Sequence, residues 1–115
     1  MPRGRLGRLR KGAEFDSVFS KGSVVNGPLL VVRVSPNGGT LSRWGFAVGK
    51  KLVPKATGRN LLRRRLREAA RAIVLSRGLD VVVVARFGAR EASVLELEGA
   101  LRKQLSKLGA EGTDS

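Results

Sequence analysis

The residues best equipped for chemistry in this chain are arginines, and the chemistry they suit is phosphate recognition rather than bond breaking. Residues 58 to 68 read Gly-Arg-Asn-Leu-Leu-Arg-Arg-Arg-Leu-Arg-Glu. At about 100° per residue on a helix, Leu62, Leu66, Ala69, Ala70 and Ile73 share one stripe that can pack on a core. Arg63, Arg64, Arg67 and Arg71, with Asn60 ahead of them, fall on the adjoining stripe. Guanidinium groups crowded on one face repel each other unless an anion sits opposite, and a phosphate backbone matches their forked donors. Leu61 fits neither stripe and points towards the side of Glu68 and Arg65.

Other chemistries are poorly served. The chain has no Cys and no His, which removes disulfides, the usual zinc sites, cysteine nucleophiles and histidine bases together. Asp16, Glu68 and Asp80 fall in different elements, so no carboxylate pair is set for two-metal phosphodiester cleavage. A stand-alone nuclease is therefore not expected. Gly49-Lys50-Lys51 lacks the glycine spacing and the Lys-Ser/Thr of a phosphate-cradling loop. Its lysines read as point charges for phosphate at the end of a strand.

The charge balance agrees. A net charge of +14 and a pI near 11.8 in 115 residues exceed what solubility needs and point to a polyanion. Nucleic acid is the first expectation, and an anionic membrane surface is the weaker rival. Residues 43–71 hold ten basic groups (Arg43, Lys50, Lys51, Lys55, Arg59, Arg63, Arg64, Arg65, Arg67, Arg71) against Glu68 alone. Beyond residue 90 the acids outnumber the bases. No secretory signal is evident at the basic N-terminus, and the apolar run Val81 to Ala85 is far too short to span a bilayer. A soluble, cytoplasmic protein is expected.

One domain should position these groups. Residues 1–12 read as a flexible basic arm carrying Arg8, Arg10 and Lys11. Phe15, Val18 and Phe19 give a short helix from Ala13 to Lys21 its apolar face, with Gly22 as the stop. Asn26-Gly27-Pro28 is a turn, Leu29 to Val34 a strand, and Ser35 to Gly39 a hairpin-type connection. Arg43 to Lys50 alternates Trp44, Phe46 and Val48 with small residues, as a half-buried strand does. After the linker Val53 to Thr57, with Thr57 as N-cap, the basic helix is expected to run to Ser76 and end at Gly78. Leu79 to Phe87 reads as a buried central strand. Ala92 to Leu108 reads as a last helix, with Leu95, Leu101, Leu105 and Leu108 beside Ala100 on its apolar side. Residues 109–115 form a frayed tail. The fold class is α/β, an α+β sandwich of about four strands in a mixed sheet with three helices, in the order α-β-β-(β)-α-β-α. Phe15 and Phe19 either pack in the core or line an open cleft where bases of a single strand can rest.

Lys50-Lys51, then Ala56, Arg59-Asn60, Arg63-Arg64 and Arg67-Glu68, resemble the signature of the bacterial ribonuclease P protein component. Arg8-Leu9-Arg10-Lys11 followed by Phe15, Val18, Phe19 and Gly22 is similar to that family's opening. The resemblance runs over about residues 6–108. It implies a sandwich with a left-handed crossover around the basic helix. It further implies the protein subunit of a ribonucleoprotein that removes 5′ leaders from precursor tRNA, with the RNA subunit as catalyst and Mg²⁺ held mainly by that RNA. No obligate protein partner is implied. Arg59, Asn60, Arg63, Arg64 and Arg67 would meet the catalytic RNA, extended by Lys50, Lys51, Lys55 and Arg71 and by Arg8, Arg10 and Lys11 in the arm. Phe15, Phe19, Val32 and Phe46 would line the leader cleft, with Val32 on its sheet floor where some relatives carry an aromatic. The family usually reads Arg-Asn-Arg, whereas Leu61 holds the third place here. Either one RNA contact is missing, or Arg65 replaces it from the next turn. The competing expectation is a generic structural RNA-binding protein, such as a small ribosomal protein.

Overall fold

A computed structural model describes residues 7–8, 22–76 and 78–110. The strands are β1 (Gly7–Arg8), β2 (Ser23–Asn26), β3 (Leu30–Pro36), β4 (Arg43–Ala47) and β5 (Leu79–Ala85). Helix α1 (Ala56–Arg71) lies between β4 and β5, and a 3-10 turn (Phe87–Glu91) leads to α2 (Val94–Leu108). The sheet order is β1-β4-β5-β3-β2. The two-residue β1 extends one edge of four longer strands. β4 and β5 run parallel, β3 is antiparallel to both β5 and β2, and β1 is parallel to β4. The sheet is mixed, as expected. The helix expected from Ala13 to Lys21 lies outside the described residues.

The β-branched run Val81 to Val84 takes the centre because both of its edges are paired, a place that favours continuous apolar residues. Strand alternation then divides the sheet. Leu30, Val32, Val34, Trp44, Val81, Val83 and Ala85 join Leu62, Leu66, Ala69, Ala70, Leu97, Leu101 and Leu105 in one core, so both helices pack on that face. Val82 is equally buried yet stands outside this core, on the opposite face with its partner Arg33. Each large aliphatic removed from water on the helix side contributes about 1.5–3 kcal/mol.

Several boundaries move. α1 starts at Ala56 with Lys55 as its uncapped flank, so Thr57 lies inside the first turn and is not the N-cap. The helix stops at Arg71, and Ala72 and Ile73 bond back to Ala69 O and Ala70 O. Ile73 still reaches the core. Gly78, at φ +69, turns the chain into β5 rather than ending the helix. β5 ends at Ala85, and Phe87 is 71% exposed at the head of the 3-10 turn, with the Arg90 guanidinium 4.6 Å from its ring centre. β4 ends at Ala47, before Lys50. Residues 23–26 add a strand where only a following turn was expected.

α2 opens on a reciprocal cap that satisfies two N–H groups free at a helix start. The Ser93 hydroxyl accepts from Glu96 N at 3.1 Å, and Ser93 N donates to Glu96 Oε1 at 2.9 Å. Leu95 is 78% exposed, and Leu97 takes the core position expected of it. Gln104 shares the buried face: its Nε2 donates to Val25 O and Leu30 O, both at 2.9 Å, fastening α2 to the β2–β3 hairpin.

Candidate nucleic-acid interface

The crossover from β4 to β5 carries the basic groups on two adjoining pieces, the 49–55 loop and α1. Leu52 N and Val53 N donate to Gly49 O at 3.2 and 3.0 Å, forming a turn that leaves Lys50 and Lys51 exposed; Lys55 is exposed as well. α1 follows at once, because Arg59 N donates to Lys55 O at 3.0 Å. Its core stripe is sealed, with Leu62, Leu66, Ala69 and Ala70 at 0–1% exposure. Burying that stripe turns the adjoining one outward: Asn60, Arg64 and Arg71 are exposed, and Arg63 and Arg67 half-buried. The first turn holds no acid, so this end of the helix keeps its full attraction for an anion.

The expected contacts separate by what their side chains already hold. Asn60 Oδ1 accepts from Arg63 Nη2 at 2.5 Å, so Asn60 aims an arginine. Arg59 Nη1 donates to Val53 O at 3.0 Å and Pro54 O at 2.7 Å. Arg65 Nη1 donates to Ala92 O at 2.8 Å and its Nη2 to Arg90 O at 3.3 Å, which ties α1 to the start of α2. Arg65 is therefore tied to backbone carbonyls at the start of α2 rather than aimed outward beside Leu61. Leu61 is 54% exposed on the same side. Arg43 leaves the basic surface too. Its Nε and Nη2 bond the two oxygens of buried Asp80 at 2.8 and 2.7 Å, while Asn37 Nδ2 donates to Asp80 Oδ1 at 2.8 Å.

The expected leader cleft is only partly reached. Arg10, Lys11, Phe15 and Phe19 lie outside the described residues, and Arg8 is described only through its strand pairing with Trp44. Val32 does not floor an open cleft, because it is fully buried on the helix-packed face. Phe46 is half-buried on that face, stacked on Trp44 with ring centres 5.8 Å apart and planes 12° from parallel. The β3 residues on the other face are Val31, Arg33 and Ser35, by alternation from Val32. Arg33 was missed, although the same alternation signals it. Among the described residues no group of three or more His, Cys, Asp or Glu gathers as a metal site, and no helix is long and apolar enough to cross a membrane.

Among the described residues, a small mixed sheet with two helices on one face and an arginine-rich crossover surface defines a class of basic α/β proteins. The family model for Ribonuclease P matches residues 4–109. The ribonuclease P protein component of Gluconacetobacter diazotrophicus is 40% identical over 114 residues, covering 96% of this chain and 97% of the relative. That of Dehalococcoides mccartyi strain CBDB1 is 39% identical over 100 residues, covering 87% and 82%. Among solved structures, the Staphylococcus aureus RNase P protein superposes with a TM-score of 0.79 at 27% identity, covering 94% of this chain and all of the other. The Thermotoga maritima RNase P protein gives 0.69 at 30% identity, covering 88% and 93%. The chain belongs to the ribonuclease P protein component family. That family places it in tRNA processing, within a ribonucleoprotein endoribonuclease.

Proposed function

We propose that this chain is the non-catalytic protein subunit of a ribonuclease P holoenzyme in the cytoplasm. It binds the catalytic RNA through α1 and the 49–55 loop, contacts the 5′ leader of precursor tRNA, and assists removal of that leader. The observation that carries the reading is the single basic face of Lys50, Lys51, Lys55, Arg63, Arg64, Arg67 and Arg71, in a chain without Cys or His. Such a face neutralises phosphates and fixes the approach of two RNAs without supplying a nucleophile or a histidine base. Mg²⁺ would stay on the RNA. Asp80 is engaged by Arg43 and Asn37, and the described residues gather no carboxylate cage.

For the leader, we assign the sheet face opposite the helices. Arg33 lies there beside Val82, and the aromatic groups expected to complete the cleft are Phe15 and Phe19. The crossover around α1 would take the left hand of the family, which an experimental structure would check directly. Reconstitution with a bacterial ribonuclease P RNA at low Mg²⁺ tests the proposal. Precursor tRNA cleavage should rise above that of the RNA alone; no gain would sink it.

A further inference from the structure

We propose that Arg59 is a positioning residue, which sets the lysine loop against the basic helix and is not itself a phosphate contact. On the helix Arg59 lies about 100° from the middle of the arginine stripe and only about 40° from the middle of the core stripe. Its side chain therefore runs along the edge of the packed face, towards the loop. Nη1 donates to Val53 O and to Pro54 O, at 3.0 and 2.7 Å. Both hydrogens of that nitrogen are then spent. Those two carbonyls follow the turn that presents Lys50 and Lys51 and precede Lys55.

The loop and the helix are in close contact at the same place. A Cβ on Gly58 would stand 2.8 Å from Val53 Cγ1, so any larger residue at 58 would push the Val53 side chain, and with it this loop, off the helix. At one end the loop is closed by Leu52 N and Val53 N on Gly49 O; at the other it is closed by the Arg59 guanidinium. Lys50, Lys51 and Lys55 are long, mobile cations, and a rotamer-rich side chain costs roughly 0.5–1.5 kcal/mol to order on binding. Holding their backbone still before RNA arrives leaves only the side chains to order. The basic helix thus contributes one arginine that acts through its neighbours, and the phosphate-facing set begins at Asn60 and Arg63.

The inference rests on the proposal that this face binds ribonuclease P RNA, and two measurements keep the failures apart. The first uses the free protein. In Arg59→Ala, amide hydrogen exchange at Leu52 and Val53 should quicken by about tenfold or more, while core amides such as that of Val82 hold their rates. Unchanged exchange in the loop would overturn the positioning role, whatever RNA does. The second measures affinity for a bacterial ribonuclease P RNA in a cycle of Arg59→Ala with Lys51→Ala. Loss of Lys51 should cost clearly less once Arg59 is gone, whereas Arg71→Ala should add independently to Arg59→Ala, within about twofold. Full additivity between Arg59 and Lys51, with the salt dependence reduced by one contact in Arg59→Ala, would make Arg59 an ordinary phosphate contact and refute the inference. If the wild-type protein bound this RNA with no salt dependence, the functional proposal would fail first; the exchange result would still judge the loop.

Discussion

Leu61→Arg installs an arginine on the exposed side of α1, next to the outward arginine stripe. Leu61 is 54% exposed, so its loss empties no core space. On the helix it stands about 60° from Arg64 and about 100° from the middle of the arginine stripe. A long arginine side chain can cover that gap, so the change should add up to one phosphate contact. One further contact steepens the salt dependence by roughly 0.7–0.9 log units per tenfold change. At about 0.1 M salt that corresponds to roughly five- to eightfold tighter binding. The cost falls on folding. The new cation would lie one turn before Arg65, whose guanidinium holds Ala92 O and Arg90 O. A like-charge pair at that spacing costs about 0.2–0.5 kcal/mol, or a melting shift of roughly 1–3 °C. The assay is equilibrium binding to ribonuclease P RNA over a salt series, with melting followed by circular dichroism. An unchanged salt slope in a folded variant would refute the reasoning and place residue 61 off the RNA.

Other outcomes follow from the same contacts. Asp80→Ala should cost about 2–4 kcal/mol, because it removes the buried carboxylate that accepts from Arg43 Nε and Nη2 and from Asn37 Nδ2; a loss below about 1 kcal/mol in denaturant unfolding would contradict this. Arg65→Ala should lower stability by about 1 kcal/mol while leaving the RNA salt slope intact, and a reduced slope would return Arg65 to the contact set. The backbone N–H of Ser93, and then its hydroxyl, hold the Glu96 carboxyl below its ordinary 4.5. A depressed acid stabilises the fold above its ordinary value and loses that contribution as pH falls through the lowered one. The stability gap between wild type and Glu96→Gln should therefore narrow on acidification, and a gap that stays constant from about pH 6 to pH 3 would show that the cap is not charged.

The core stripe and the outward stripe of α1 were legible because helical spacing is a local property and the stripe is sharply apolar. Val81 to Val84 were legible as central for a similar reason. The fates of individual arginines were not. Arg59, Arg65 and Arg43 have the composition of phosphate ligands, yet each is claimed by a carbonyl or carboxylate: for Arg59 by the bend of the loop five and six residues before it, for Arg65 and Arg43 by groups brought near only by the folded chain. Arg43 meets Asp80 because β4 and β5 align in parallel register, which no local pattern reveals. Val32 was misplaced for a different reason. Alternation says that Val32 and Arg33 face opposite ways, but choosing the helix side needs the sheet order. Leu95 was misassigned against the helical spacing itself: at about 100° per residue it lies about 120° from Leu101, whereas Leu97 lies only about 40° from it, and α2 turns Leu97, Leu101 and Leu105 inward. Gln104 lies on the buried side of α2 because its amide donates to two strand carbonyls far back in the sequence, which no local pattern shows.

That amide has a consequence for how the protein is made. Gln104 joins the end of β2 to the start of β3, 79 and 74 residues upstream. Nascent chains therefore emerge with the hairpin's carbonyls waiting for a side chain that has yet to be translated. β3 likewise waits for β5 to pair along one edge. The hairpin cannot reach its finished form until synthesis has passed residue 104, so the sheet that supports the basic crossover is completed late. A ribosome stalled within α2 should hold a chain in which every arginine of the basic crossover is present but whose binding surface is not yet assembled.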